Sequence, residues 1–345
     1  REGDTSMKFV LGGKGANLAE MTRLGLPVPP GFTITCQACV EYSQGNNEFP
    51  EGLDEEIARY VADLEETMGK RLGDADDPLL VSVRSGAPYS MPGMMDTILN
   101  LGLNDTSVQG LIRQTGNARF AWDSYRRFIQ MFGKLVLEID GDVFENAITR
   151  MKHERNVNLD TDLSAADLEQ LVGSFKALVS QNVSADDFPA LVDGGSVAFP
   201  QDVATQLRLS IEAVFRSWMN DRAIYYRRMN KLSDDMGTAV NVQTMVFGNK
   251  GDTSGTGVAF TRNPADGTNE YYGDFLVNAQ GEDVVAGIRI TQPIAEMHDV
   301  MPAVAKELDE TFDTLETHYK DMCDIEFTIE QGKLWMLQTR VGKRT

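Results

Sequence analysis

The residues best suited to chemistry lie near the end of the chain, where charged and apolar residues alternate. Asp324 and Glu326 are separated by Ile325, so a strand would place both carboxylates on one face. Paired carboxylates on a rigid strand suit Mg²⁺, which prefers one or two carboxylates together with phosphate oxygens. The same alternation is typical of the solvent-facing half of an amphipathic hairpin. The pattern therefore predicts either a metal site or an ordinary polar face.

The segment 333–340 predicts a return strand that completes a hairpin. Pairing Asp324 with Arg340, and Glu326 with Gln338, would collect these four polar side chains on one face. We expect this register because it separates polar from apolar residues. The opposite face would then contain Ile325, Phe327, Ile329, Trp335 and Leu337.

The connection between the two strands determines whether this register is possible. The register requires an odd-numbered loop, 331–333, with a bulge assisted by Gly332. A two-residue turn at 331–332 would instead place Glu326 opposite Leu337 and separate the polar groups. We therefore predict the three-residue connection.

A lysine near the N-terminus is suited to binding an anion. Lys14 lies in Leu11-Gly-Gly-Lys-Gly15, at the start of a helix predicted over 15–24. Free N–H groups at a helix start attract anions such as phosphate. The glycine spacing is not that of a P-loop, so an exposed lysine in a glycine turn is the alternative interpretation.

An arginine at a strand end is a second candidate for binding phosphate. Arg84 follows a buried strand predicted over 79–83, and its planar guanidinium offers a fork of donors that matches phosphate oxygens. The loop after it contains Gly86 and Gly93, which would allow backbone N–H groups to approach a ligand closely. We expect this loop to run into a helix at about Asp96.

The overall charge restricts the class of partner. Acidic residues outnumber basic residues by 52 to 32, which gives a formal net charge of −20 and argues against a nucleic-acid partner. A nucleotide is also an anion, so its site would need local positive charge, for which Lys14, Arg84 and Arg340 are the candidates. The sequence has no run of about 18 apolar residues and no apolar signal-peptide core, so we expect a cytoplasmic protein with no membrane partner.

Helix and strand signals divide the chain into regions. Residues 1–105 mix both signals, residues 106–229 show helical periodicity, and strands return from residue 239. We predict an α+β protein. The long helices are predicted over 118–137, 143–155, 164–180, 200–219 and 303–322. The later strands are predicted over 239–247, 258–261, 275–278 and 288–292, with a glycine-rich loop over 248–257.

The segment 81–105 contains Val-Arg-Ser at 83–85 and Ser-Met-Pro-Gly-Met-Met-Asp-Thr at 90–97, and it closely resembles the nucleotide-binding domain of the pyruvate, phosphate dikinase family. The resemblance extends from Leu11-Gly-Gly-Lys-Gly-Ala-Asn-Leu-Ala-Glu-Met21 to the hairpin at 324–340. It implies an ATP-grasp fold, in which two α/β subdomains enclose the nucleotide cleft and carry a helical insertion. The implied boundaries are 1–105 with 201–246, 106–200 for the insertion, and 247–345.

This resemblance implies roles for the candidate residues. Glu326 and Gln338 would be metal ligands for Mg²⁺, and Asp324 would contact either the metal or the ribose. Lys14 and Arg84 would hold the transferred phosphates, steadying charge that develops on their oxygens.

The resemblance also implies contacts with the rest of ATP. Arg340 would bind the phosphates, as a catalytic residue. The glycine-rich loop would close over the triphosphate, although such loops are also ordinary connections between strands. The implied nucleotide contacts are the adenine edge at Gln243, Thr244, Met245 and Val246, the lid residues Thr256 and Gly257, and Glu282 at the base or ribose.

In the family, the phosphotransferase reaction uses ATP, inorganic phosphate and pyruvate. A histidine in a small-residue setting carries the phosphoryl group, and none of the three histidines here lies in such a setting. We therefore expect an ATP-binding fragment that works with a phosphohistidine domain and a pyruvate-binding barrel. We expect the fragment to be a monomer and the full-length enzyme to be a homodimer.

Two other functions remain open at this point. The related phosphoenolpyruvate synthase, a pyruvate, water dikinase, shares the Gly-Gly-Lys-Gly and Val-Arg-Ser patterns, but the segment 90–97 favours the phosphate-using enzyme. A nucleotide sensor without catalytic activity would bind Mg-ATP, and substitution of Glu326 would leave its function unchanged.

Overall fold

The protein contains both helices and sheets. A computed structural model describes residues 2–91, 93–95, 97–285 and 289–342, except for the side chains of Glu282 and Val285. In chain order, the helices are α1 (Lys8–Arg23), α2 (Cys36–Gln44), α3 (Leu53–Met68), α4 (Ser107–Thr115), α5 (Ala118–Leu135), α6 (Gly141–Arg155), α7 (Ala165–Asn182), α8 (Val203–Ser217), α9 (Asp221–Met229), α10 (Gly281–Val285), α11 (Met297–Val300) and α12 (Pro302–Tyr319). The strands are β1 (Gly31–Ile34), β2 (Arg71–Leu72), β3 (Pro78–Leu79), β4 (Val81–Gly86), β5 (Thr97–Leu101), β6 (Val192–Asp193), β7 (Ser196–Val197), β8 (Ala239–Thr244), β9 (Gly255–Phe260), β10 (Tyr272–Val277), β11 (Gln292–Pro293), β12 (Cys323–Glu330) and β13 (Lys333–Val341). The mixture confirms the α+β class.

The chain divides into two compact units, residues 30–245 and residues 1–29 with 246–345. The N-terminal segment joins the second unit because Asn17 Nδ2 donates to the Thr339 carbonyl at 2.8 Å and the Met336 N–H donates to the Pro27 carbonyl at 2.8 Å. The boundaries predicted from the sequence instead group residues 1–29 with residues 30–105. The three-part division stays a prediction.

The unit of residues 30–245 contains a four-stranded antiparallel sheet with the order β1-β8-β4-β5. Strand β4 begins at Val81, two residues later than predicted, and continues to Gly86, so Arg84 lies within the strand. Strand β8 ends at Thr244 rather than at residue 247, and one further bond, from the Met245 N–H to the Leu80 carbonyl, follows its pairing with β4. Asp96 itself lies outside the described residues, but the predicted helix from about this position is wrong because β5 covers Thr97–Leu101.

The predicted helical region is confirmed. Helices α5, α6, α7 and α8 match the predicted helices, with ends that differ by about three residues or fewer. Helix α7 begins with a capping box, in which Ser164 Oγ accepts from the Asp167 N–H and the Asp167 carboxylate accepts from the Ser164 N–H. In the described part of the chain, no helix is both long enough and apolar enough to cross a bilayer.

The other unit is built around a five-stranded antiparallel sheet with the order β11-β10-β9-β12-β13. One face of the sheet packs against α12 in the unit's hydrophobic core. Strand β9 covers Gly255–Phe260, so the strand predicted over 258–261 is present but begins three residues earlier. The glycine-rich loop therefore covers 248–254, and its predicted end at residue 257 is wrong. The predicted strand over 288–292 is also wrong, because β11 covers Gln292–Pro293; Ile288 lies outside the described residues.

The terminal hairpin has the predicted register with a different connection. Asp324 pairs with Arg340 and Glu326 pairs with Gln338. The turn contains only Gln331 and Gly332, whose φ angles of 50° and 79° are those of a tight hairpin turn. The predicted three-residue connection is therefore wrong.

A bulge in the middle of the hairpin reconciles the short turn with the register. Phe327 pairs with Met336, whereas Glu326 pairs with Gln338, so Leu337 is the extra residue. Because Leu337 is an extra residue, the side chains of β13 between it and the turn lie on the faces opposite to those expected from simple alternation. Leu334 and Met336 are therefore in the core and fully buried, while Trp335 pairs with Thr328 on the same face as Glu326. The predicted placement of Trp335 on the apolar face is wrong.

We predict that Gly257→Ala destabilises the protein by about 1–3 kcal/mol, because overpacking a core has a cost of that order. A Cβ at this position would lie 2.5 Å from the ring of Phe327, which is fully buried, and 2.9 Å from the Asp274 carbonyl. Urea unfolding measures the change. The control is Gly173→Ala in α7, where a Cβ meets nothing within 4 Å. It should stabilise the helix by about 0.5–1 kcal/mol, and equal stability of the two variants would contradict the prediction.

Candidate functional site

Polar residues of the terminal hairpin lie on the face of the five-stranded sheet that is opposite the core. Strand pairing aligns them with residues of β9 and β10 in two neighbouring rows. The first row contains Asp274, Val258, Glu326 and Gln338, and the second contains Tyr272, Phe260, Asp324 and Arg340. The two carboxylates thus project from a strand with a partner on each side, which holds their backbone in place.

One guanidinium is shared between the two carboxylates. Arg340 Nη2 lies 2.8 Å from Asp324 Oδ2 and 3.5 Å from Glu326 Oε1. Gln338 Nε2 donates to Glu326 Oε1 at 3.1 Å. The predicted convergence of these four residues is confirmed. The group carries one more negative charge than positive charge when both acids are ionised.

The environment of Asp324 disfavours its charged form. Burial raises the pKa of this carboxyl group, and the neighbouring charge of Glu326 raises it further. The positive charge and hydrogen bond of Arg340 act in the opposite direction without cancelling the effect of burial. A cation near Asp324 would relieve this electrostatic cost.

The donor set fits Mg²⁺ in its chemistry. Asp324 and Glu326 offer carboxylate oxygens, and Mg²⁺ completes its octahedral shell with phosphate oxygens and water. Among the described residues, no group of three or more His, Cys, Asp and Glu side chains could hold a metal ion. The predicted set has only two acids, and Gln338 would be the third ligand. Its amide group must turn to present the oxygen, because its nitrogen now donates to Glu326.

Lys14 lies at an interruption of α1. Gly12 within this helix has φ 68° and ψ 166°, a conformation that is readily accessible only to glycine. The helical segment after Gly12 therefore has its own N-terminus, with Lys14 in its first turn, which agrees with the predicted helix start. Lys14 precedes Asn17 by one helical turn, and the bond from Asn17 to the Thr339 carbonyl holds this part of α1 beside β13.

Arg84 and the predicted adenine edge belong to the other unit or to its boundary. Arg84 is half-buried and lies opposite Asn241 of β8, whose Nδ2 donates to the Arg84 carbonyl at 3.4 Å. The N–H group of Thr244 donates to Pro30 and that of Met245 donates to Leu80. These donors are thus engaged within the unit.

Part of the backbone of the predicted adenine edge, residues 243–246, takes part in strand pairing. Gln243 pairs with β1 on one side and with β4 on the other, so its backbone belongs to the sheet ladder. The Met245 carbonyl and the backbone of Val246 are the parts of the predicted edge that these contacts do not use.

The predicted lid residues lie in a strand. Thr256 is 3% exposed, and its Oγ1 donates to the Phe327 carbonyl at 3.1 Å. Gly257 pairs with Phe275 on one side and with Phe327 on the other. Their placement in a mobile loop is wrong because β9 pairs along its whole length with both neighbouring strands. Glu282 belongs to α10, but its side chain lies outside the described part of the structure.

Lys250 and Glu330 form an ion pair that the sequence analysis did not predict. Lys250 Nζ lies 2.5 Å from Glu330 Oε1, and both side chains are largely buried. A signal was present: Glu330 has the same strand parity as Asp324 and Glu326, and Lys250 is in the glycine-rich loop. Sequence spacing alone does not show that the two residues meet.

Comparisons with known proteins show which family the chain resembles. A family model described as "Pyruvate phosphate dikinase, AMP/ATP-binding domain" matches residues 9–47, 46–301 and 291–345. Over 344 residues the chain is 55% identical to pyruvate, phosphate dikinase of Clostridium symbiosum, 53% identical to the chloroplastic pyruvate, phosphate dikinase of Flaveria trinervia, and 52% identical to pyruvate, phosphate dikinase 2 of Zea mays. These matches cover 100% of the chain but only 38%, 35% and 38% of the relatives.

We predict that the free energy of unfolding of the Asp324→Asn variant increases, relative to that of the unsubstituted protein, as the pH rises. The raised pKa means that the folded state binds the Asp324 proton more tightly than the unfolded state does. The contribution of Asp324 to the free energy of unfolding therefore falls as pH rises through the interval between the ordinary and the raised pKa. The amide cannot ionise, so the variant lacks this loss.

Urea unfolding at about pH 4 and about pH 7 measures the difference. Glu307→Gln, an exposed position on α12, serves as the control and should not show the effect. A stability difference between Asp324→Asn and the unsubstituted protein that is constant over this interval would contradict the prediction.

Proposed function

This chain belongs to the pyruvate phosphate dikinase AMP/ATP-binding domain family, and on that premise we propose that it binds Mg-ATP for phosphoryl transfer. The observation that carries the proposal is the group formed by Asp324, Glu326, Gln338 and Arg340 on one face of a sheet. Two carboxylates suit a divalent cation, and an adjacent guanidinium suits a phosphate. The side chain of Asp324 is only 23% exposed, whereas an ordinary solvated face would leave it in water.

In this proposal, Glu326, Gln338 and Asp324 hold Mg²⁺, which would neutralise charge on the phosphate oxygens when bound. Asp324 retains the alternative role of a ribose contact. Arg340 is 43% exposed at its side chain, so it has donors available to phosphate oxygens beside the one that faces Asp324. Its positive charge then favours the transition state, in which charge accumulates on the transferred group.

Lys14 would add a second positive charge in the same unit. The helical segment that begins after Gly12 directs its first N–H groups towards the end where Lys14 lies. The tether from Asn17 to Thr339 holds this segment beside the strand that carries Arg340. These features support the assignment of Lys14 to the phosphates, whereas the assignment of Arg84 rests on the family resemblance.

The remaining contacts belong to the same proposal. We assign the ATP-grasp fold to this chain on the basis of its family. The adenine would meet the backbone at Met245 and Val246, with Glu282 as a further base or ribose contact. Any contribution of Thr256 and Gly257 would come from a paired strand rather than from a lid.

The activity of the whole protein is a further proposal, because the chain spans only 38% or less of the relatives described above. We propose that the complete protein converts ATP, inorganic phosphate and pyruvate to AMP, diphosphate and phosphoenolpyruvate. A phosphohistidine domain and a pyruvate-binding barrel would be needed for that reaction. Cytoplasmic location and homodimer formation stay predictions.

Calorimetric titration of this chain with Mg-AMPPNP should give a binding constant that Glu326→Ala and Arg84→Ala each weaken about tenfold or more, equivalent to about 1.4 kcal/mol. The first change removes a metal ligand and the second removes a phosphate contact. Matched controls are Glu310→Ala on α12 and Arg150→Ala on α6, both at exposed positions. Equal affinity in all five proteins, or no binding by the unsubstituted chain, would contradict the proposed site.

The complete protein should consume ATP only when inorganic phosphate is supplied together with pyruvate. Release of AMP, measured with and without phosphate, tests this dependence. Equal release under both conditions would instead favour phosphoenolpyruvate synthase.

A further inference from the structure

The glycine-rich loop 248–254 is attached to the rest of its unit at both ends. The Gly248 carbonyl accepts from the Ala279 N–H at 2.9 Å, and the Ser254 carbonyl accepts from the Asn278 N–H at 2.8 Å. Asn278 Oδ1 also accepts from the Gly251 N–H at 3.2 Å. These bonds tie one side of the loop to the segment that follows β10.

The other side of the loop is tied to the hairpin turn. The Gly332 N–H donates to the Thr253 carbonyl at 2.8 Å, and the Gln331 N–H donates to Ser254 Oγ at 3.0 Å. The turn therefore uses its own backbone donors to hold the loop. Because β12 and β13 lead into this turn, the loop and the strands that carry the carboxylates are mechanically connected.

A side-chain ion pair also joins the glycine-rich loop to the hairpin. Lys250 Nζ lies 2.5 Å from Glu330 Oε1, with only 14% and 19% of the two side chains exposed. The exposed pair Lys306–Glu310 has its charges 3.9 Å apart, with 81% and 70% exposure. A largely buried pair is screened less by water, and loss of one partner leaves a charge without compensation.

Glu330 has a second lysine directly opposite in the hairpin, but that lysine has another partner. Lys333 pairs with Glu330 in the strand register. Its ammonium group lies 3.9 Å from the centre of the Trp335 ring. Lys250 is the lysine that contacts Glu330 at ion-pair distance.

We infer that Glu330 is a positioning residue, which acts through Lys250 to hold the glycine-rich loop in place before a nucleotide binds. The inference deepens the proposed function and rests on it, because the loop matters to catalysis only if it meets the phosphates. The sequence analysis expected this loop to close over the nucleotide like a lid. In the present inference, the loop is already fixed to the hairpin before the nucleotide binds. Fixing the loop in advance lowers the entropy cost of ordering it around a ligand.

Hydrogen–deuterium exchange of the 345-residue chain without nucleotide tests the attachment. Glu330→Gln and Lys250→Met should each accelerate amide exchange in the loop 248–254 by about tenfold. Lys306→Met, which removes one partner of the exposed pair, should not change the loop. The double variant Lys250→Glu/Glu330→Lys restores opposite charges and should slow the exchange again.

Peptides from α7, which contains none of the substituted residues, serve as an internal reference, since they should exchange equally in every variant that folds. Unchanged loop exchange in both single variants overturns the inference. Fast exchange in the double variant also overturns it, because pairing of the two charges would then not be what holds the loop.

Titration with Mg-AMPPNP tests the consequence for binding. Both single variants should raise the dissociation constant about three- to tenfold, since part of the binding energy must then order the loop. Unchanged affinity despite a loosened loop overturns the positioning role. Failure of the proposed function has a different signature: the unsubstituted chain then binds no Mg-AMPPNP, while the exchange rates still decide whether the ion pair holds the loop.

Discussion

The pairing of β12 with β13 is the constraint on which the candidate site depends. A slip of one residue in an antiparallel pair moves every side chain of a strand to the opposite face. The bulge at Leu337 sets the phase of β13, so that Gln338 and Arg340 face the carboxylates while Leu334 and Met336 fill the core. One extra residue thus allows β13 to contribute side chains both to the polar cluster and to the hydrophobic core.

The electrostatics of the site are local rather than global. The chain has a formal net charge of −20, yet the polar cluster contains a guanidinium between two carboxylates. Arg340 compensates only part of the negative charge, and burial keeps the pKa of Asp324 raised. A divalent cation would supply the missing positive charge and would then compensate the phosphates of a nucleotide as well. An acidic protein can bind an anionic substrate in this way because solvent screens the distant charges.

The surroundings of the cluster make it a rigid site. Strand β12 has a hydrogen-bonded neighbour on each side, α1 is held to β13 through Asn17, and the turn of the hairpin holds the glycine-rich loop. Each of these attachments lies within one compact unit. Groups that are held before a ligand arrives do not need to be reorganised when charge develops, which is the basis of electrostatic catalysis.

The sequence by itself determined the composition of the polar cluster, because residue type and strand parity are local properties. Alternation in 324–340 was sufficient to predict which acids share a face, and separation of polar from apolar groups was sufficient to predict their partners. Helical periodicity likewise located α5 to α8. The bulge, the strand position of Thr256 and the meeting of Lys250 with Glu330 were decided only by the tertiary structure. Each depends on which distant segments become neighbours, and that choice is made by packing of the whole core rather than by any short stretch of residues.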